Sequence, residues 1–98
     1  TGRNLFEIAT AGGARACGHN AGVIEVGKRA DLLVLDCDSP LLVERHEDQL
    51  LDSWIFSGNS NVISDVYVGG QHLIRDGQHP LKERINQQFR ATMHELTL

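Results

Sequence analysis

From Asn4 to about Cys17, the apolar residues Leu5, Ile8, Ala9 and Ala16 recur at helical spacing and alanine is plentiful. The chain is therefore read as opening on a helix packed along one face. Gly12 and Gly13 inside it each cost roughly 1 kcal/mol relative to alanine, which makes sense if the helix lies close against another element. Gly18, His19 and Asn20 supply the stop. The period then changes. Val23-Ile24-Glu25-Val26 reads as a short strand closed by Gly27-Lys28. Leu32-Leu33-Val34-Leu35, set between Asp31 and Asp36, reads as a strand covered on both faces. Asp38-Ser39-Pro40 turns the chain out of it.

Leu50, Leu51, Trp54 and Ile55 predict a short amphipathic helix over 47–56, and 57–61 is a loop by composition. Val62 to Val68 is strand-like, Gly69-Gly70 is a two-residue hairpin turn, and the return strand runs through His72 to Arg75, ending at Asp76-Gly77. After Pro80, Leu81, Ile85, Phe89, Met93 and Leu96 keep helical spacing to the end, with Lys82, Glu83, Arg84, Gln87, Gln88 and Arg90 on the other face. The predicted order is helix, two strands, short helix, hairpin, helix, an α+β chain. Strands that need both faces covered, in so short a chain, imply missing sheet neighbours. The separated chain is expected to expose apolar surface on Leu5 and Ile8 and along its sheet edges, and so to self-associate.

The 98 residues make one small domain at most, 41% hydrophobic and 22% charged, the composition of a globular chain. Net charge is −4 and the Lys and Arg residues are scattered, which argues against nucleic-acid binding. No apolar run approaches the roughly 20 residues that span a bilayer, and 1–10 lacks the signature of a signal peptide. Thr1 in place of Met fits a fragment or a processed product. Cys17 and Cys37 match neither a zinc spacing nor a disulfide framework, and two reduced cysteines in a cytoplasmic protein are expected, a single bridge between them being the alternative.

The residues that could carry chemistry form no recognisable site. His19, His46, His72, His79 and His94 include no pair at the i, i+2 or i, i+4 spacing that places two imidazoles on one ion. His72 and His79 flank the Asp76-Gly77 turn and could meet in space. Cys17 and His19 could share an ion, but further ligands are not evident. Ser53, Ser57, Ser60 and Ser64 sit in no G-x-S-x-G frame, and Cys37 at a strand end is read as inert. Glu47 and Asp48 suit the dipole at a helix start better than acid/base work. Gly12-Gly13 lies within a helical run with no G-K-[ST] after it, so it is not a phosphate loop. Leu81, Ile85, Phe89 and Met93 form a core or interface stripe, and Trp54 is a core anchor. No catalytic, cofactor-binding or metal-binding residue is assigned.

The order of three local patterns adds a resemblance. Ile8-Ala-Thr-Ala-Gly-Gly-Ala-Arg-Ala-Cys-Gly18, then Gly22-Val-Ile-Glu-Val-Gly-Lys-Arg-Ala-Asp-Leu-Leu-Val-Leu-Asp36, resembles the C-terminal signature of the amidohydrolase superfamily, in the branch of cytosine and guanine deaminases, triazine chlorohydrolases and imidazolonepropionase. Val66-Tyr-Val-Gly-Gly-Gln-His-Leu-Ile-Arg-Asp-Gly77 resembles the hairpin that follows in those families. Within the superfamily, Leu50 to Gly58, Asn61-Val62, Asp65 to Gly70 and Asp76 to His79, with Arg84-Ile85 and Phe89-Arg90-Ala91, are most similar to the formimidoylglutamate deiminases of histidine degradation.

The resemblance implies a fold in parts. Residues 1–20 would be the last helix of a (β/α)8 barrel, 21–79 the C-terminal share of a composite β-sandwich, and 80–98 an amphipathic helix packing back on the body. The missing sheet neighbours would be N-terminal strands of a longer parent, which is thus the expected partner together with the barrel. A homo-oligomer is left open. It also implies metal-assisted hydrolysis in the parent, with zinc or another divalent ion and a small-molecule substrate. The family's ligands are an H-x-H, two further histidines and an aspartate, and none maps onto this chain. Asp31 and Asp36 belong to the sandwich signature, not to the metal. This chain alone is expected to be catalytically incomplete. The alternatives are another deaminase or chlorohydrolase relative, or a stand-alone β-rich interaction module.

Overall fold

A computed structural model describes residues 1–98 as three helices and one three-stranded sheet, so the chain is α+β as expected. Helix α1 spans Gly2–Cys17, strand β1 Leu32–Leu35, helix α2 Asp48–Phe56, strand β2 Ile63–Val68, strand β3 Gln71–Ile74 and helix α3 Lys82–Leu96. The sheet is antiparallel throughout, in the order β1-β2-β3. Gly69 and Gly70, at φ 56° and 81°, make the turn between β2 and β3, where two successive left-handed residues match the twist of a tight hairpin. Helix α1 stops where the sequence indicates. Gly18 adopts a left-handed conformation at φ 71°, and the Gly18 and His19 amides donate to the Arg15 and Ala14 carbonyls.

One predicted strand is absent. Val23–Val26 pairs with nothing, and Ile24 and Val26 stand in solvent at 88% and 104% exposure. An apolar, β-branched run becomes a strand only when a neighbour takes its amides and carbonyls, and none does here. Instead Asn20 closes the segment into a loop. Its Nδ2 donates to the Gly27 carbonyl at 3.0 Å, its Oδ1 accepts from Lys28 Nζ at 2.9 Å, and its carbonyl accepts from the Arg29 amide at 2.7 Å. The return strand also ends one residue early, at Ile74, with Arg75 and Gln78 forming an isolated bridge around Asp76-Gly77.

Helices α1 and α2 pack as a pair. Phe6 meets Trp54 with ring centroids 5.4 Å apart and planes tilted by 55°, so Trp54 is an anchor between helices, half-buried rather than enclosed. The free amide at the start of α1 is capped from the other helix, Gly2 N–H donating to Asp52 Oδ1 at 2.7 Å. Arg3 adds exposed ion pairs to Glu7 at 3.0 Å and Asp48 at 3.3 Å, each worth little in water. The glycines that permit close approach are Gly2 and Gly22. At Gly12 and Gly13, where a close approach would make sense of a glycine, an added methyl group would meet no other element within 4 Å.

The core is small. Only Gly2, Leu42, Ser53 and Val62 are buried. The chain exposes 7750 Å², whereas a compact monomer of its mass exposes roughly 5,500 Å². Its radius of gyration is 16.8 Å, against about 13 Å for a compact domain of similar length. The surplus, about 2,200 Å², is the size of an obligate interface. Leu5 and Ile8 on α1 are 50% and 70% exposed, and Leu33 and Val34 remain nearly half exposed within the sheet. Helix α3 contacts no other element, and all its residues are exposed.

A methyl group at Gly2 would lie 2.8 Å from the Leu51 carbonyl oxygen and 2.9 Å from Asp52 Oδ1. Gly2→Ala is therefore expected to separate the α1 start from α2 and destabilise the pair by about 1–3 kcal/mol. Thermal unfolding followed by far-ultraviolet circular dichroism checks it; an unchanged midpoint would contradict the close packing.

Candidate functional site

Two polar clusters are built into the sheet. The first joins the approach to β1 with the β2–β3 turn. Asp31 Oδ1 accepts the Gly69 amide at 2.8 Å and Arg29 Nε at 2.9 Å, while the Gly70 amide donates to the Ala30 carbonyl at 2.9 Å. The Gly69 amide, then the Arg29 guanidinium, holds the Asp31 carboxyl below its ordinary range. Asp31 thus fastens a hairpin turn to the strand that precedes it in sequence, a structural task.

The second cluster lies on one sheet face. Tyr67 pairs directly with His72 across the hairpin, and their rings stack at 4.3 Å with planes 11° apart. Asp65, two residues back on the same face, meets His72 Nε2 through Oδ2 at 2.6 Å. The carboxylate only accepts, so Nε2 carries the shared proton. The Ser64 hydroxyl and the His72 ring both hold the Asp65 carboxyl below its ordinary range. The hydroxyl also lies 3.3 Å from the Val34 carbonyl, so the shorter His72 contact is the firmer of the two. A carboxylate–imidazole pair is the raw material of general-base catalysis. Here it stacks against a tyrosine on an open sheet and orients its own hairpin.

The remaining candidates stay apart. His72 is engaged by Asp65, whereas His79 turns its Nδ1 to the Leu81 amide at 3.0 Å. Cys17, His19 and Asp31 line one shallow depression of about 250 Å³. No three His, Cys, Asp or Glu side chains anywhere in the chain come together as a metal would require. The donors present therefore do not fit the zinc that an amidohydrolase resemblance implies. Both cysteines are free and exposed. Between α1 and β1, Phe6, Val23, Ile24, Leu32 and Leu33 line an apolar cavity, also of about 250 Å³. It has the character of an uncovered packing seam. No helix is long and apolar enough to cross a membrane.

The His72 contact was open to sequence reasoning. A two-residue Gly69-Gly70 turn fixes Tyr67 opposite His72, and alternation then places Asp65 on their face. The Asn20 loop and the Asp52 cap join residues with no periodic relation, so no local pattern announces them.

Two outcomes follow from these clusters. Asp31→Ala should speed hydrogen exchange of the Gly69 amide several-fold, with Asp31→Asn intermediate because an acceptor oxygen remains; equal exchange in all three proteins would remove Asp31 from this role. Asp31 and Asp65 have lowered folded-state pKa values, so the unfolded chain takes up protons first as acid is added. Their stabilisation is complete above the ordinary carboxylate range, about pH 4, and is lost as pH falls through the lower folded values. Amide protection in β2 and β3 should be constant from pH 7 to 5 and decline below about 4, less steeply in Asp65→Asn.

The profile of the Amidohydrolase family matches residues 3–73, from α1 through the hairpin. The formimidoylglutamate deiminase of Pseudomonas aeruginosa is 44% identical over 97% of this chain, which covers 21% of that protein. A 5-methylthioadenosine/S-adenosylhomocysteine deaminase of Halobacterium salinarum is 38% identical over 76% of the chain and 17% of its own length. The enzyme of the same name from Haloarcula marismortui is 32% identical over 96% of the chain, again 21% of its own length. The chain thus spans about a fifth of the length of the curated relatives it matches. With the profile running through both packed helices, the Asp31 fastening and the Tyr67–His72 hairpin, this chain belongs to the amidohydrolase family.

Proposed function

We propose that these residues are the C-terminal structural portion of a longer hydrolase that cleaves a non-peptide C–N bond, converting N-formimino-L-glutamate and water to N-formyl-L-glutamate and ammonia. The observation that carries the reading is the 44% identity to a formimidoylglutamate deiminase along nearly the whole chain, α3 included. The adenosine-type deaminases reach 30–38%. In the reaction, water adds to the formimino carbon, the carbon–nitrogen bond breaks, and the nitrogen leaves protonated as ammonia. A divalent metal suits that chemistry because it makes a nucleophile of water at neutral pH. Its ligands would lie outside these 98 residues, whose donors are dispersed.

In this reading α1 is the last helix of the barrel, 21–79 its share of a β-sandwich, and 80–98 a terminal helix. The half-exposed sheet, the apolar seam beside α1 and the surplus surface support a role as one side of an intramolecular interface. The rest of the parent chain is the proposed partner. Val23–Val26 would gain its missing strand neighbour there, which accounts for an apolar run left in solvent. Two free, exposed cysteines suit the cytoplasm, where thiols stay reduced.

The test is direct. The 98-residue chain, supplied with zinc and formiminoglutamate, should release no ammonia. The parent protein should release it, and should prefer formiminoglutamate to 5-methylthioadenosine by at least about 100-fold in kcat/KM, a difference of nearly 3 kcal/mol in transition-state binding. Ammonia from the short chain would overturn the structural assignment, and a preference for the nucleoside would overturn the substrate.

A further inference from the structure

Helix α3 has no support but its own. It contacts no other element, and all its residues are exposed. Its 15 residues are near the shortest length that is helical in water without packing, so its population responds to whatever caps its ends. The Leu81 side chain, at the start of Lys82–Leu96, makes no capping bond. The cap comes from two residues further back. The Lys82 amide donates to the His79 carbonyl at 3.1 Å, which adds one tighter turn ahead of the helix, and the Leu81 amide donates to His79 Nδ1 at 3.0 Å. Pro80 lies between them and has no amide to satisfy. His79 thus stands where serine, asparagine or aspartate usually stands, with proline at the first position of the turn and its ring nitrogen taking the second amide.

An imidazole in that place differs from a hydroxyl or an amide in one respect. Nδ1 accepts only while the ring is neutral with its proton on Nε2, and in the imidazolium both nitrogens donate. Protonation therefore removes the acceptor. It also sets a positive charge at the positive end of the helix dipole, a second effect of the same sign. The charged groups that share a polar depression of about 430 Å³ with His79 are Lys82, Glu83 and Arg90, all from α3. Two cations against one acid offer an imidazolium no net attraction there.

From this geometry we propose that His79 is a proton-operated cap, which holds the first turns of α3 when neutral and releases them when protonated. Histidine is the side chain whose ordinary charge change falls between roughly pH 5 and 8, so α3 is capped at the upper end of that interval and uncapped at the lower. His94, in the last turn, acts with the opposite sign, since a positive charge there favours the helix. The two ends are separable because a lost cap loosens the first turns, where His94 has little reach. The inference does not depend on the deiminase reading, because it uses only α3 and the turn before it.

Nuclear magnetic resonance of the 98-residue chain tests it, with His94→Gln as the common background. The α-carbon shifts of Lys82 to Gln88 report the helical population of the first turns. Between pH 8 and pH 5 the ratio of helical to non-helical population there should fall about 3- to 10-fold, the effect of losing one cap. In His79→Asn the side-chain oxygen accepts at every pH, so the population should stay high and flat. In His79→Ala it should be low and flat, and both variants keep Pro80. A population that does not change with pH in the His79 chain overturns the inference. So does the same pH response in His79→Asn, which would assign it to another group, and so does His79→Ala as helical as the His79 chain at pH 8. A population that rises in acid, as an imidazolium paired with Glu83 would produce, overturns it too, as does an α3 without helical shifts at pH 8.

Discussion

A single carboxylate joins parts of this chain that lie far apart in sequence. Asp31 accepts an amide 38 residues away, and through it the segment leading into β1 is fixed to the turn between β2 and β3. The Gly69-Gly70 turn presents that amide because both residues adopt positive φ. The Gly70 amide completes the join by donating to Ala30. The rest of the sheet depends on this placement. Leu32 opposite Tyr67, Leu33 opposite Val66 and Val34 opposite Asp65 follow from it, and with them the face on which His72, Tyr67 and Asp65 meet. An aspartate in an amidohydrolase chain invites assignment to the metal. This one belongs to the turn.

Much of the fold was legible in the sequence because it rests on local periodicity. The three helices and the hairpin appear within a few residues of where spacing, Gly18, Gly69-Gly70 and Pro80 place them. The error at Val23–Val26 has a physical cause. Strand propensity records how a residue fits a pleated surface, and that fit needs a neighbour which the sequence of one short chain does not contain. Gly12 and Gly13 mislead in a similar way, since they signal a close approach that nothing in this chain makes. Leu42, the most enclosed side chain, sits in an irregular turn over 39–45 where no period exists to reveal it.

The polar contacts divide along the same line. The Tyr67–His72 pair is fixed by a two-residue turn and alternation, so counting outward from Gly69-Gly70 reaches it. Asp52 capping Gly2 and Asn20 closing the 20–29 loop rest on tertiary geometry alone. The surface carries a second kind of information. A chain with four buried residues and exposed ridges on α1, β1 and α3 is shaped by what it meets as much as by its own core.

The long excursion of residues 36–62 between β1 and β2 also bears on the order in which the sheet assembles. The β2–β3 hairpin closes through a two-residue turn, a local event on the microsecond scale. β1 must wait until the intervening chain has been gathered in, and that closure entropy is met before any of its hydrogen bonds form. The hairpin therefore comes first, displaying an open β2 edge, and β1 is the last strand to arrive. During that interval β2 is a template on which another copy's Leu32–Leu35 can pair in place of its own, so refolding at high concentration favours exchanged strands.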